Sequence, residues 1–124
     1  MSKKPQIIKE LEAVNAKIER LINLHSIRLT AVYDQIARLE RAGLAYANPH
    51  WKANKYFYLV HTVTNGQRKR EYIGTNKAKI DKALASVERA KQHKELTHQK
   101  SELERHLTNL KSDFVKTLNS FTTE

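Results

Sequence analysis

Three consecutive cations, Arg68, Lys69 and Arg70, follow closely on the dipeptide Asn65-Gly66. Guanidinium and ammonium groups crowded beside a turn suit one kind of chemistry, the neutralisation of a polyanion. Arginine adds a planar fork that grips phosphate, or the O6 and N7 edge of guanine. Lys52 and Lys55 lie upstream, and His61 stands between the two groups. These residues are the candidate nucleic-acid contacts, with Lys52 and Lys55 as phosphate anchors. The alternative use of such cations is to guard a strand end against edge-to-edge aggregation.

The charge balance favours the first use. The chain has 124 residues and a net charge of +10, from 23 basic and 13 acidic side chains. Residues 1–42 hold 8 basic and 5 acidic residues, and residues 77–124 hold 10 and 7, the mixture expected of solvated helical faces. Residues 43–76 hold 5 basic residues and one acid, Glu71. A segment of nearly pure cation predicts a polyanionic partner, with DNA favoured over RNA.

Other chemistries find little support. The histidines (25, 50, 61, 93, 98 and 106) form no i, i+4 pair of the helical zinc kind, and there is no cysteine. His98 and Glu102 stand one turn apart, an isolated pair. There is no glycine-rich phosphate loop, nucleophile elbow or carboxylate cluster. The expectation is a non-enzymatic protein with no metal and no cofactor. No apolar run reaches the ~18 residues that span a bilayer, and the N-terminus lacks a signal-peptide core. A cytoplasmic protein without membrane contact is expected, associated with the nucleoid if it binds DNA.

Four segments must position these side chains within one domain. Residues 5–42 have no interior glycine or proline, and apolar residues recur in steps of three and four from Ile7 to Leu39. The stripe slips at His25 and Ser26, which leaves open one helix with a stutter or two helices meeting at 24–26. Ser2 or Pro5 starts this arm and Gly43 closes it. Residues 43–55 read as a connector. Residues 56–74 read as a β-hairpin, because Asn65-Gly66 between β-rich runs suits a type I′ turn. Residues 76–121 read as one long helix capped by Thr75 or Asn76, about 65 Å in length.

A two-residue turn would set Thr64 opposite Gln67. Tyr58, Val60 and Thr62 would then face Ile73, Glu71 and Lys69, and Leu59, His61 and Val63 would face Tyr72, Arg70 and Arg68. A bulged turn would change this parity. In this reading Tyr58, Leu59, Val60 and Tyr72 hold the ribbon to the helices. Tyr46 and Trp51 invite base stacking, although packing into a small core is the favoured reading. The polar stretch 88–102 either presents Arg89, Lys91, Lys94 and Lys100 to DNA or forms a polar layer shared with His25 and Ser26. The second is preferred.

The fold class expected is mainly α with one β-hairpin: an antiparallel helical hairpin, or coiled coil, with a β-ribbon between its helices. Two helices and a ribbon bury little, so a homodimer is expected. The long helices also offer a surface to a protein partner. A coiled-coil interaction or scaffold module of phage or plasmid origin is therefore the alternative function.

Two resemblances bear on these residues. The run "IARLERAGLAYANPHWKANKYFYLV", residues 36–60, resembles the end of a winged-helix regulator, where a recognition helix leads into the first wing strand. That resemblance implies DNA contacts from Arg28, Arg38 and Arg41, with Arg68–Arg70 in the wing. It also likens the long C-terminal helix to the dimerising helices that some of these regulators append. The run "KYFYLVHTVTNGQRKREYIG", residues 55–74, resembles the aromatic–glycine–basic hairpin of small uncharacterised proteins from mobile elements and phages. It implies a mobile-element setting.

Overall fold

The computed structural model describes residues 3–62 and 65–122. The element order is α1 (Gln6–Ala42), β1 (Ala47–Lys52), β2 (Tyr56–His61), β3 (Arg70–Gly74) and α2 (Lys77–Thr122). The expected class is found: mainly helical, with two long helices and a small antiparallel sheet between them in the chain. Pro5 starts α1, its carbonyl accepting from the N–H groups of Ile8 and Lys9 at 3.1 and 3.3 Å. Ser2, the other candidate cap, lies outside the described residues. α1 runs unbroken through 24–26, so the arm is one helix. Gly43, at φ 103°, closes it by donating to the Leu39 carbonyl at 3.1 Å. Asn76 caps α2, its Oδ1 accepting from the Lys79 N–H at 3.1 Å.

The ribbon has three strands, in the order β1-β2-β3. Half of the expected connector is therefore strand. Ala53 and Asn54, both at φ 55°, turn β1 into β2, and the Lys55 N–H donates to the Lys52 carbonyl at 3.2 Å. Two successive left-handed residues make this a type I′ turn built without glycine. Pro49 is tolerated because β1 is an edge strand.

The pairing of β2 with β3 corrects the expected faces. Phe57 lies opposite Gly74, as the two-residue register requires. The register then shifts by one, and Tyr58 faces Tyr72, Leu59 faces Glu71 and Val60 faces Arg70. Asn65 and Gly66 hold positive φ as expected, at 55° and 78°. Val63 and Thr64, whose partners were also assigned from sequence, lie outside the described residues. Because side chains alternate along a strand, the shift decides what each face carries.

Residues 34–98 form one compact unit. Its core joins Phe57 and Leu59 of β2 to Ile80, Ala83 and Val87 of α2, with Ala45, Ala47 and Ile73 packed around it. Phe57 has no exposed surface at all. The ribbon is thus held by Phe57, Leu59 and Ile73. Of the residues expected to do this, only Leu59 does; Tyr58, Val60 and Tyr72 lie on the opposite face of the pleat.

Residues 1–33 and 99–124 group as the second unit. Within its described part Val32 alone is buried. The Tyr33 hydroxyl donates to Glu104 Oε1, and Lys100 Nζ lies 4.9 Å from the centre of the Tyr33 ring. A polar stretch does interrupt the α2 stripe, but its partners on α1 are not His25 and Ser26. Tyr33 meets Lys100 and Glu104 in this unit, while Glu40 meets His93 in the other.

Candidate nucleic-acid interface

The β1 strand changes which residues can act together. On the face of the sheet turned from α2, the middle strand presents Tyr56, Tyr58 and Val60. Asn48, His50 and Lys52 flank it on β1, and Arg70 and Tyr72 on β3, by the observed register. Lys52 and Arg70, far apart in sequence, thereby share one surface on opposite edge strands. Both are exposed. The rings of Tyr58 and Tyr72 touch at 4.9 Å, tilted by 47°, and Lys55 Nζ stands 5.8 Å from the centre of the Tyr56 ring.

The sequence-assigned cations divide. Arg70 lies on this outer face, and Arg68 is exposed just before β3. Lys69 belongs to the other side: its carbonyl accepts from the His61 N–H at 2.8 Å, and it lines a hollow with Leu44, Tyr46 and Glu71. His61 is bound there too, its Nε2 2.8 Å from Glu71 Oε1, and so it does not share the outer face. Arg38 and Arg41 are exposed in the last turns of α1. Nothing in the strand contacts brings them to the outer face.

Electrostatically the sheet is one-sided. Its only acid, Glu71, points inward and is engaged by His61. Among the described residues no carboxylate pairs with Lys52, Lys55, Arg68, Lys69 or Arg70. Elsewhere Lys4 pairs with Glu12 at 3.0 Å, Lys100 with Glu104 at 3.9 Å and Arg105 with Glu102 at 2.7 Å. No family model, curated protein or solved structure compared with the chain matches it. The surface itself must therefore carry the functional argument.

Other residues with chemical potential are held in structural contacts. Arg89 donates from Nε to the Gly43 carbonyl at 2.7 Å and from its terminal nitrogen to the Ala42 carbonyl at 3.1 Å. It thus satisfies carbonyls that the end of α1 leaves open and is not free for DNA. Glu40, His93 and Tyr46 form a chain, with His93 Nε2 donating to Glu40 Oε1 at 3.0 Å and the Tyr46 hydroxyl donating to Nδ1. A carboxylate–imidazole–hydroxyl chain can polarise an O–H bond. Here it ties α1, the segment before β1 and α2 together. Trp51 packs edge-on against Phe57 at 4.7 Å, so both residues considered for base stacking have partners within the fold. Among the described residues no three His, Asp or Glu side chains converge on a possible metal position. No described helix is long and apolar enough to cross a membrane.

Sequence reasoning missed Asn48 and His50 because it missed β1. A signal was present: Ala47, Pro49 and Trp51 alternate with the polar Asn48, His50 and Lys52. Pro49 and the lack of glycine in the following turn obscured it.

Proposed function

We propose that the protein binds nucleic acid, double-stranded DNA in preference to RNA, through the cations of its β-sheet, and that it does so without catalysis. The observation that carries this reading is the set of five cations in and beside the sheet with no carboxylate partner. Exposed cations cost the fold little when unpaired, but five of them in a segment with one acid, Glu71, build a positive potential that favours a polyanion. Arg68, Arg70, Lys52 and Lys55 make the primary contacts, Lys69 and His61 support them from the inner side, and Arg38 and Arg41 add positive potential from α1. Such a binder works in the cytoplasm, on the nucleoid. The resemblance of residues 55–74 supports a mobile-element or phage setting for it.

The test is a fluorescence titration of a mixed-sequence duplex at several salt concentrations. The wild type is compared with a variant carrying Arg68→Ala, Lys69→Ala and Arg70→Ala. The wild type should lose affinity steeply with salt, and the variant's slope should fall by about one for each phosphate contact removed. Equal binding by both proteins would remove the sheet from the interface. No binding at low salt would end the nucleic-acid reading.

A second reading has its own observation. Ile7, Leu11, Val14 and Leu21 recur at coiled-coil spacing on α1 and all are exposed, as are Leu118 and Phe121 near the end of α2. Stripes of this kind on both helices of one chain suit pairing with a second copy, which buries both at once. The homodimer is the preferred partner for this surface, and an interaction or scaffold module is the alternative if a different protein covers it.

A further inference from the structure

We infer that the outer face of the three-stranded sheet enters the major groove of duplex DNA, with β2 over the base edges and Lys52 and Arg70 reaching the two opposite backbones. The inference rests on the nucleic-acid reading and goes beyond it. It moves the interface from the cationic tip to a whole face, and it names the groove.

The dimensions of the sheet suit the groove. Neighbouring strands lie about 4.8 Å apart, so the outer two backbones of a three-stranded sheet are separated by about 10 Å. The major groove of B-DNA is about 12 Å wide. A sheet laid face-down in it sets its middle strand over the base edges and its edge strands beside the phosphates.

The side chains follow the same division between base edges and phosphates. The middle strand offers Tyr58 and Val60, both half-buried, which suit contact with base edges and thymine methyl groups. Lys52 stands on one edge strand and Arg70 on the other, both exposed and without a carboxylate partner. Asn48 and His50 add hydrogen-bonding groups beside Lys52 on β1. No acid lies on this face, since Glu71 is turned inward to His61. A face bearing Tyr58 and Val60 along its middle and one cation on each edge strand suits a groove floored by bases and walled by phosphates.

A single strand would need free aromatic faces to stack on. Tyr58 and Tyr72 are engaged with each other at 4.9 Å and Tyr56 with Lys55. Tyr72 stays 55% exposed, so the single strand is the ligand that competes with the duplex in the test. A-form RNA is disfavoured for a different reason, because its major groove is too deep and narrow for side chains to read.

The test measures binding of a short mixed-sequence DNA duplex, the RNA duplex of the same sequence, and the single DNA strand. Wild type, Lys52→Ala, Arg70→Ala and Lys82→Ala are compared at matched salt. The DNA duplex should bind best, and Lys52→Ala and Arg70→Ala should each weaken it roughly fivefold or more. Lys82→Ala, exposed on α2 at the inner side of the sheet beside Glu71, should change affinity less than twofold, on the order expected of a charge outside the interface. Methylation of guanine N7 in the same duplex should weaken binding as well.

Three results would overturn the inference while leaving nucleic-acid binding intact. They are equal affinity for the RNA duplex, tighter binding of the single strand, and a loss for Lys82→Ala as large as that for Arg70→Ala. Absence of binding to any of the three nucleic acids at low salt would remove both the inference and the function beneath it.

Discussion

Residues 34–98 and the helical remainder of the chain are built on different terms. The first unit holds Phe57, Leu59, Ile80, Ala83, Val87 and Ala90, all buried, while the described part of the second buries only Val32. Its Leu11 and Leu118 are more than half exposed, at 57% and 62%. The difference lies in geometry more than in composition. A sheet gives α2 a broad surface to pack on, whereas a helix alone offers its neighbour one narrow seam. One unit is closed by its own core, and the other still presents apolar surface.

The sharpest way to break this contrast is at Phe57. Its ring is fully buried between the sheet and α2, so Phe57→Ala removes the centre of the only sheet core. A loss of about 3–5 kcal/mol is expected, as for other buried aromatics truncated to alanine. Urea denaturation followed by circular dichroism would measure it. A loss below about 1 kcal/mol, the scale of ordinary surface substitutions, would mean that the sheet unit does not depend on this core.

The second expectation concerns the exposed seam. If a second copy covers it, Leu11→Glu removes an apolar contact of about 1.5–3 kcal/mol per protomer. The dimer dissociation constant should then rise by at least roughly tenfold. Sedimentation velocity would show the shift to monomer, while the near-ultraviolet dichroism of the aromatic sheet stays unchanged. A wild-type protein that is already monomeric at high concentration would leave this surface to a different partner.

How far the fold could be read in advance follows the same division. The helices were legible because their apolar residues repeat without interruption by glycine or proline, and because Gly43 and Asn76 carry familiar end signals. The hairpin was legible from Asn65-Gly66. Strand β1 was not, since its turn uses Ala53 and Asn54, and alanine is rarely left-handed. The register shift after Phe57 was also hidden. It places Tyr58 and Tyr72 on the outer face, and no local residue pattern announces a bulge. The candidate site was accordingly half visible: the cations could be named, but the face that unites Lys52 with Arg70 depends on the strand that was missed.

That turn supplies a smaller prediction within the well-packed unit. Ala53 sits at φ 55°, a conformation that costs a β-carbon-bearing residue about 1–2 kcal/mol. Ala53→Gly relieves this and loses part of the gain to the greater freedom of glycine in the unfolded chain. A net stabilisation of about 0.5–1 kcal/mol is expected, seen as a raised urea midpoint with an unchanged slope. A loss of stability would show that the alanine methyl makes a contact outweighing its strain.

The smallest effect belongs to the helical unit and depends on pH. Tyr33 donates its hydroxyl proton to Glu104, and that hydrogen bond, followed by partial desolvation and the negative charge of Glu104, raises the phenol above its ordinary pKa. The ammonium of Lys100, 4.9 Å from the ring centre and 3.9 Å from Glu104, is the other charge facing it. For an acid whose folded value is raised, the neutral form is the one the fold favours. The contribution to stability is therefore complete below the unfolded value of about 10 and is lost as pH rises through the higher folded value. Tyr33→Phe should be less stable than wild type at neutral pH, and the gap should close as the solution becomes alkaline. Glu104→Gln keeps an acceptor but removes the charge, so the Tyr33 titration, followed by tyrosinate absorbance against Tyr33→Phe, should move back towards the ordinary value. If the stability gap between wild type and Tyr33→Phe is unchanged from neutral to strongly alkaline pH, the hydroxyl stabilises the helices by packing, and its proton is not what the pair holds.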